Sequence, residues 1–581
     1  MMAHVWPAAL KFSRLELGVL DPRCRFCSLP TRVKDYKRRP LYLLNGPTWL
    51  VSQMNLCEDP TCPGHHRLMV AEEETIISPP WWIIGWDVFA YMGRERLVHH
   101  TAVGELREDL RETYEIELSE DAIEDYLGRY QAILAARQRD PEQLKLHYQS
   151  VPGLILSIDG LQPEKGHETL YTVRELNGKR VWFSTPLLSS SEEEVEKLFL
   201  EARSLADMLG LPVQAWVSDK QDAFVTGIAK IFPGTPHRLC HNHFLRDVAE
   251  PLLELDSHAK VQMRKKVRGL RAIEKDILAG RQQNSSMPQP VADKGNQRSE
   301  TSERVEAKTT PKSEKPADNN EVVLTYCSAV RGLLNRNQGG PLDPPGLRMA
   351  EGLKQVRASI QKNIDARQGG DAERYLSRLA RCIDRGLSEV KDSLKVIPAR
   401  VATLRAIERS LDPKMGNSTG RQTAFRKLMT SLQAEQEPIA QKMGNMMQRW
   451  EAGLFAGGDA LNFLRDNLEM ERWFKLPKSH ERKIHGRQHV GTRVVHEGPS
   501  LTLALDAHHS HRQPFKQEDL APYLDAMPTR DELESIERRK IMRRAASRKT
   551  LDGLLGELEA AYCTTRRPKR RSGSGSHAPS G

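Results

Sequence analysis

The chain has 581 residues, of which 39% are apolar and 28% are charged. At roughly 150 residues a domain, this length predicts about three or four domains and enough chain to bury a sizeable core. No apolar run reaches the roughly 18–20 residues of a membrane span, and the first residues lack the features of a secretory signal. We therefore expect neither a membrane protein nor an exported one.

The charge of the chain is mildly basic. There are 87 Lys and Arg residues against 77 Asp and Glu residues, which gives a net charge of +10. Much of the excess lies near the end, in the run Arg566-Arg567-Pro568-Lys569-Arg570-Arg571. Such a tail is either a solvated, disordered segment or a sequence-independent contact with nucleic-acid phosphates, whose affinity falls steeply with salt.

Four of the eight cysteines lie close to the N-terminus in two pairs. The pairs are Cys24 with Cys27 and Cys57 with Cys62. Two pairs of thiol ligands about 30 residues apart are typical of a structural zinc ion with four tetrahedral ligands. Residues 1–75 are therefore predicted to form a zinc-binding module with a β-hairpin between the pairs, and His65 and His66 are further candidate ligands.

Residues 76–148 are predicted to form a helix-turn-helix-like DNA-binding region. Apolar residues recur there at three- and four-residue steps in two segments, which predicts two amphipathic helices. Ser119 stands where the second helix would have its N-cap. Helix pairs of this size are common without DNA, so this interpretation depends on the neighbouring zinc module and on the region that follows.

Residues 149–245 are predicted to form a mixed α/β sheet. Apolar runs separated by turns and amphipathic segments predict strands at 154–158, 169–173, 180–184 and 214–218. The first and the last of these strands lead into Asp159 and Asp219, and open α/β sheets keep their chemistry at the carboxyl ends of strands. A single aspartate at a strand end is more often a turn or a helix cap. Two of them on neighbouring strands can share divalent cations, because carboxylate oxygens are the ligands that Mg²⁺ prefers.

The remaining chain divides into three predicted segments. Residues 246–460 have an almost wholly helical pattern, interrupted at 282–320 by a polar stretch that is predicted to be disordered. Residues 461–515 would complete the core and bring in a third carboxylate, and residues 516–581 are predicted to be a helical and basic disordered tail.

Parts of the chain resemble the Mutator-like (MULE-type) DDE transposases. Asp159 in Leu-Ser-Ile-Asp-Gly, Asp219 in Val-Ser-Asp-Lys-Gln-Asp-Ala and the pair Cys240 and His243 are similar to the first two acids and the C-x2-H element of that family. The resemblance covers roughly residues 150–490. It implies an RNase H-like core whose mixed sheet is interrupted by a long all-α insertion.

The third acid of the family lies on a helix after that insertion, ahead of a basic His-Glu-Arg run. The corresponding run here is residues 480–487, and aligning it places the third acid at Glu471. Only one asparagine, Asn467, precedes this glutamate where the family often has two. Glu469 and Glu497 therefore remain competing choices.

The resemblance also implies the chemistry. Asp159, Asp219 and Glu471 would hold two Mg²⁺ (or Mn²⁺) ions, and the enzyme would cleave DNA strands at element ends and join the freed 3′-hydroxyl to target DNA. The N-terminal modules would bind terminal inverted repeats, and the protein would act as a homo-oligomer on double-stranded DNA. Such an enzyme would be expected in the bacterial cytoplasm, bound to the nucleoid, or in a eukaryotic nucleus.

Several residues keep two interpretations at this point. Cys240 and His243 either pack structurally or contact a metal ion or DNA. Four basic residues after the third acid either hold DNA phosphates or form a solvated basic face. They are Arg482, Lys483, Arg487 and Arg493. Two other functions also remain open, namely a nuclease of the same fold that does not join strands and a domesticated, non-catalytic DNA-binding protein.

Overall fold

The computed structural model describes residues 6–7, 10–162, 168–285, 319–336, 338–366, 369–487, 489–511 and 513–564. The chain divides into two compact units. The first contains Met1–Arg238 and Asp466–Gly581, and the second is Leu239–Arg465. The basic run 566–571 and most of the segment that the sequence predicts to be disordered lie outside the described residues.

The first unit begins with a four-stranded sheet. Its strands are β1 (Ser13–Leu17), β2 (Thr31–Leu43), β3 (Gly46–Cys57) and β4 (Met69–Val70). β2 and β3 form the predicted antiparallel hairpin, which closes between Leu43 and Gly46. Gly46 has a φ of +108°, a backbone conformation that favours glycine. β1 pairs with β3 in parallel, and β4 pairs with it in antiparallel fashion.

Five helices follow the N-terminal sheet. They are α1 (Glu73–Ile77), α2 (Trp86–Arg94), α3 (Val103–Tyr114), α4 (Glu120–Arg139) and α5 (Pro141–Tyr148). The two predicted amphipathic helices are α3 and α4, and the apolar residues that predicted them are buried. Ser119 is the N-cap of α4, because its hydroxyl accepts a hydrogen bond from the Ala122 N–H. This part of the prediction is confirmed.

The second sheet of the first unit has five strands. They are β5 (Leu154–Leu161), β6 (Thr169–Glu175), β7 (Arg180–Leu187), β8 (Val213–Ser218) and β9 (His237–Leu239), with helices α6 (Glu192–Leu209) and α7 (Asp222–Ile231) between them. The strand order is β7-β6-β5-β8-β9. β5 is antiparallel to β6 and parallel to β8, so the sheet is mixed, as predicted. Phe199 of α6 packs edge-on against Trp216 of β8 and holds the crossover helix on the sheet.

The second unit is built from helices. They are α8 (His241–Lys266), α9 (Leu270–Ser285), α10 (Asn319–Asn335), α11 (Pro345–Ala366), α12 (Asp371–Glu389), α13 (Ser393–Leu411), α14 (Ser418–Ala434) and α15 (Pro438–Leu454). Two apolar clusters hold these helices together. The buried carboxylate of Asp256 on α8 accepts hydrogen bonds of 2.7 Å from the N–H groups of Gly346 and Leu347, which satisfies the N-terminus of α11.

The chain then returns to the first unit. The remaining helices are α16 (Leu468–His485), α17 (Gly491–Ser510), α18 (Gln517–Leu520), α19 (Arg530–Ala546) and α20 (Arg548–Thr564). α17 packs against α4 and β7, and it is kinked at Gly498, where φ is +78°. Over the described part of the chain, none of the helices has the length and apolar character needed to cross a membrane.

Asp506 of α17 links four other elements of the first unit. Its carboxylate is fully buried and accepts a 2.7 Å hydrogen bond from the guanidinium of Arg174 on β6. It also accepts bonds from the Gln138 amide on α4, the Val181 N–H on β7 and the Trp473 indole on α16, at 3.2, 2.9 and 2.9 Å. A buried carboxylate is tolerated because a cation and three further donors surround it.

Replacing this carboxylate tests how strongly it holds the unit together. Asp506→Asn leaves Arg174 buried without an anion, so we expect a loss of about 3–5 kcal/mol of stability, measured as a lower urea midpoint. Asp207→Asn is a matched control, since Asp207 pairs with Arg203 on the surface. It should cost no more than about 0.5 kcal/mol. Equal midpoints for the two variants would show that Asp506 is not an essential link.

Candidate active site and metal centre

Asp159 lies on β5, the central strand of the five-stranded sheet, and Asp219 follows the end of the neighbouring strand β8. β8 pairs with β5 as far as Ser157 opposite Val217. Asp219 follows the last residue of β8, and Asp159 lies two residues beyond Ser157. The predicted strand 154–158 is three residues too short, because continued pairing with β6 extends β5 to Leu161 and places Asp159 within the strand.

Asn467 fixes the start of α16 on β5. It is buried, its side-chain oxygen accepts a hydrogen bond from the Ser157 hydroxyl, and its amide lies 3.4 Å from the Ile158 carbonyl. Glu471 follows in the first turn, where its N–H donates to the Asn467 carbonyl at 3.0 Å. A carboxylate suits this position because the N-terminus of a helix favours negative charge. The third predicted acid is thus anchored to the strand that carries the first.

The three acids interact electrostatically. Burial and, to a smaller extent, the negative charges of Asp219 and Glu471 raise the pKa of Asp159 to about 7. The Gly160 N–H and the ammonium of Lys478 act in the opposite direction. Lys478 lies seven residues after Glu471 and therefore on the same side of α16. A half-buried carboxylate facing two others is a typical candidate for cation binding or acid–base chemistry.

Metal binding by these carboxylates depends on their chemistry and on their spacing. Among the described residues, only the N-terminal cysteines form a group of three or more possible ligands whose ligand atoms all lie within 4.8 Å of one another. Asp159, Asp219 and Glu471 do not form such a group. Carboxylate oxygens are the ligands that Mg²⁺ prefers.

The other two candidates for the third acid lie elsewhere. Glu469 is exposed on α16. Glu497 belongs to a polar cluster on α17, where burial raises its pKa and the charges of Arg96 and Arg493 lower it. Of the three candidates, Glu471 is the one whose charge contributes to the raised pKa of Asp159.

The His-Glu-Arg run that guided the alignment is largely buried. His480 and Glu481 are each 1% exposed, and His480 Nδ1 lies 2.9 Å from Nδ1 of His100. Burial and, after it, the charge of Glu497 raise the pKa of Glu481 to about 7. These side chains pack α16 against α17 and the turn after α2, a role that no local sequence signal indicated.

The predicted DNA-binding residues differ in exposure. Arg482, Lys483 and Arg487 are exposed at and just beyond the end of α16. Arg493 is half-buried, and its guanidinium lies 2.9 Å from Nε2 of His485. The first three are available to solvent and to a polyanion, whereas Arg493 faces the polar cluster.

Cys240 and His243 lie at the start of α8 in the second unit. Cys240 is fully buried and occupies the N-cap position. The next residue, His241, donates its N–H to the Arg465 carbonyl at 2.9 Å, and its Nε2 lies 3.2 Å from the Leu454 carbonyl. Neither Cys240 nor His243 joins a group of metal ligands within the part of the chain that the structure describes. This placement favours the packing interpretation.

The four N-terminal cysteines come together as a metal-ligand group. The Sγ atoms of Cys24 and Cys62 are 3.6 Å apart, as are those of Cys27 and Cys57, and all four lie within 4.8 Å of one another. A metal ion such as zinc fits this tetrahedral set of soft ligands. The predicted ligands are therefore brought together by the fold.

Backbone groups around these cysteines support thiolate ligands. The N–H groups of Phe26 and Cys27 lower the pKa of Cys24 to about 6, and the Gly64 N–H lies 3.2 Å from the Cys62 sulfur. A Cβ at Gly64 would lie 2.9 Å from the Cys24 sulfur, so only glycine fits there. His65 and His66 are not part of the group, and the prediction that they are candidate ligands is not supported. Instead, Nδ1 of His65 lies 2.9 Å from the Cys57 carbonyl.

No protein-family model matches this sequence, and no curated protein matches it.

The cysteine group predicts bound metal in the purified protein. Cys24→Ser removes one thiolate, so we expect the metal content to fall and the thermal midpoint of the N-terminal module to decrease. Cys382→Ser is the control, because Cys382 is buried far along the chain in the second unit. Elemental analysis of both variants measures the difference. Full metal content in Cys24→Ser would contradict the tetrahedral assignment.

The raised pKa of Asp159 predicts a pH-dependent stability of the metal-free protein. Its folded-state value of about 7 exceeds the ordinary value of 3.8, so the folded protein holds a proton that the unfolded chain releases between these values. This contribution is present below about pH 4 and is lost as the pH rises through about 7. Asp159→Asn should therefore raise the melting temperature at about pH 8 in a chelator, and the gain should shrink toward pH 4. Asp222→Asn, at an exposed position, should show no such gain.

Proposed function

We propose that this chain is a DNA transposase, an enzyme that cleaves and joins DNA strands at the ends of a mobile element with a DDE triad. The observation that carries the proposal is the electrostatic coupling of Asp159 with Asp219 and Glu471, which come from two neighbouring strands and a helix much later in the chain. The motif resemblance selected the same three residues from sequence.

The architecture supports the same assignment. Asp159 lies on the central strand of a mixed sheet, and the helix with Glu471 begins directly after a helical unit of Leu239–Arg465. An RNase H-like core interrupted by an all-α insertion would have this chain order. A small nuclease would not need the insertion or the N-terminal modules.

In this proposal the three carboxylates bind two Mg²⁺ (or Mn²⁺) ions. When bound, the ions activate the attacking water or 3′-hydroxyl and stabilise the leaving oxygen. Asn467 and Ser157 keep Glu471 in register with Asp159, and Lys478 offsets part of the negative charge. Exposed Arg482, Lys483 and Arg487 would hold DNA phosphates beside the acids.

The N-terminal modules would supply DNA recognition. Cys24, Cys27, Cys57 and Cys62 would hold a structural Zn²⁺, and helices α3 and α4 would contact the terminal inverted repeats of double-stranded DNA. The protein would act as a homo-oligomer on paired ends, on the bacterial chromosome or in a eukaryotic nucleus.

The test is Mg²⁺-dependent cleavage of a supercoiled plasmid that carries the gene's own flanking sequences. We expect cleavage at the flank ends and strand transfer by the wild type, and a loss of at least about 100-fold in Asp219→Asn. Metal stabilisation of the transition state amounts to several kcal/mol, and each 1.36 kcal/mol is a factor of ten in rate. Cleavage without joining would indicate a nuclease, and binding without cleavage would indicate a non-catalytic DNA-binding protein.

The third acid is tested on the same plasmid. Glu471→Gln should abolish cleavage with DNA binding intact, because it removes a metal ligand and little volume. Glu469→Gln is a matched control two residues away on the exposed side of α16, and Glu497→Gln tests the cluster on α17. Both should retain activity. Cleavage by Glu471→Gln together with loss in either control variant would show that the assignment of the third acid is wrong.

A further inference from the structure

Trp81 belongs to the apolar run Trp81-Trp82-Ile83-Ile84 but differs from nearby tryptophans in its exposure to solvent. Trp82 and Trp86 are 8% and 4% exposed and pack in an aromatic cluster with Phe89 and Tyr126. Trp81 is 92% exposed. Single exposed apolar side chains are ordinary on protein surfaces, so exposure alone does not indicate a function.

The backbone at Trp81 makes this exposure unusual. Its φ is +68°, in the left-handed region. Bulky L-residues rarely adopt this conformation, and glycine or asparagine would do so at lower cost. A large apolar side chain is thus held in water by a strained backbone, with no burial to compensate. Strain of this kind is concentrated at functional sites.

Hydrogen bonds from the side chains of Arg39 and Ser78 hold the loop that carries Trp81. The guanidinium of Arg39 donates to three backbone carbonyls, those of Ser78 at 3.0 Å, Pro79 at 2.9 Å and Trp82 at 3.2 Å. The Ser78 hydroxyl donates to the Ile84 carbonyl at 2.8 Å, across the loop. The indole therefore projects from a fixed support, which lowers the entropy lost when it contacts a partner.

The charge around this loop indicates the chemistry of the partner. β2 runs beside the loop, since Arg39 belongs to β2 and the Tyr42 N–H donates to the Ile83 carbonyl at 2.8 Å. Basic residues dominate the exposed half of β2, where Asp35 is the one acid. They are Arg32 and Lys37, which pair with Glu58 and Glu74, together with Lys34 and Arg38. The exposed guanidinium of Arg129 lies on the other side, 5.9 Å from the Trp82 ring.

We propose that Trp81 stacks on an unpaired or unstacked base of bound DNA, while Arg38 and Arg129 contact the adjacent phosphates. A projecting aromatic ring flanked by basic residues is the arrangement that binds nucleic-acid bases without reading their sequence. This inference rests on the proposed function for the identity of the polyanion as DNA. The placement of Trp81 at the junction of the cysteine module and the helical region puts the contact within the DNA-binding part of the chain.

The test compares two DNA probes. One duplex carries a single unpaired 2-aminopurine, and the other has the same sequence fully paired. The full-length wild type should prefer the unpaired base by roughly 5- to 150-fold and should quench its fluorescence, as expected for one stacked base. Trp81→Ala and Trp81→Gly should lose the preference, and Trp81→Phe should keep most of it. Trp49→Ala is the control, because Trp49 is a second exposed tryptophan and lies on β3 of the N-terminal sheet.

Thermal unfolding separates folding from binding. Trp81→Gly removes the left-handed strain, so its melting temperature should equal or exceed that of the wild type while its preference for the unpaired base is lost. A wild type without preference, or Trp81→Ala with full preference, would overturn the inference and leave the transposase proposal standing. Binding of anionic vesicles that depends on Trp81 would overturn it in favour of a lipid surface. A wild type that binds neither DNA probe would overturn both proposals.

Discussion

The first unit depends on one buried carboxylate. The Asp506 carboxylate accepts hydrogen bonds from a guanidinium on β6, an amide on α4, a backbone N–H on β7 and an indole on α16. The indole donor, Trp473, lies two residues after Glu471, and Asn467 is bound to Ser157 at the start of the same helix. Because Glu471 lies between these two anchors, the packing that stabilises the fold also sets the position of the third acid of the candidate site.

The charges around Asp506 and Asp159 differ, and this difference separates a structural carboxylate from a candidate functional one. Asp506 faces Arg174 and three neutral donors, so its charge is matched where it lies. Asp159 faces Asp219 and Glu471, and its pKa is raised to about 7. A fold gains nothing from placing three carboxylates together in the absence of a cation. In the proposed function, a bound cation would offset this repulsion, as expected at functional sites that give up stability for activity.

The parts of the fold that sequence predicts are those with a local signal. Period-two and period-3.6 patterns predict the strands around Asp159 and the helices α3, α4 and α6, and cysteine spacing alone predicts the metal-ligand group. The role of Asp506 has no such signal, since three of its four partners lie more than 300 residues away in the chain. Trp81 is the opposite case, because it lies in an apolar run of the kind that is usually buried. Its exposure and its left-handed backbone are visible only in the structure.

The division of the chain has a consequence for how the candidate site forms. The residues that complete it, Asn467 and Glu471, follow the whole of the second unit, and the Ser157 to Asn467 contact spans 310 residues. The entropy of closing a loop grows only slowly with its length, so an inserted unit of this size is tolerated thermodynamically. The inserted unit nevertheless delays assembly of the candidate site, since residues up to Arg238 contain the first two acids but not the third. During synthesis Asp159 and Asp219 are made before the helix that carries Glu471, so the proposed site could be complete only after that helix had folded back onto the sheet.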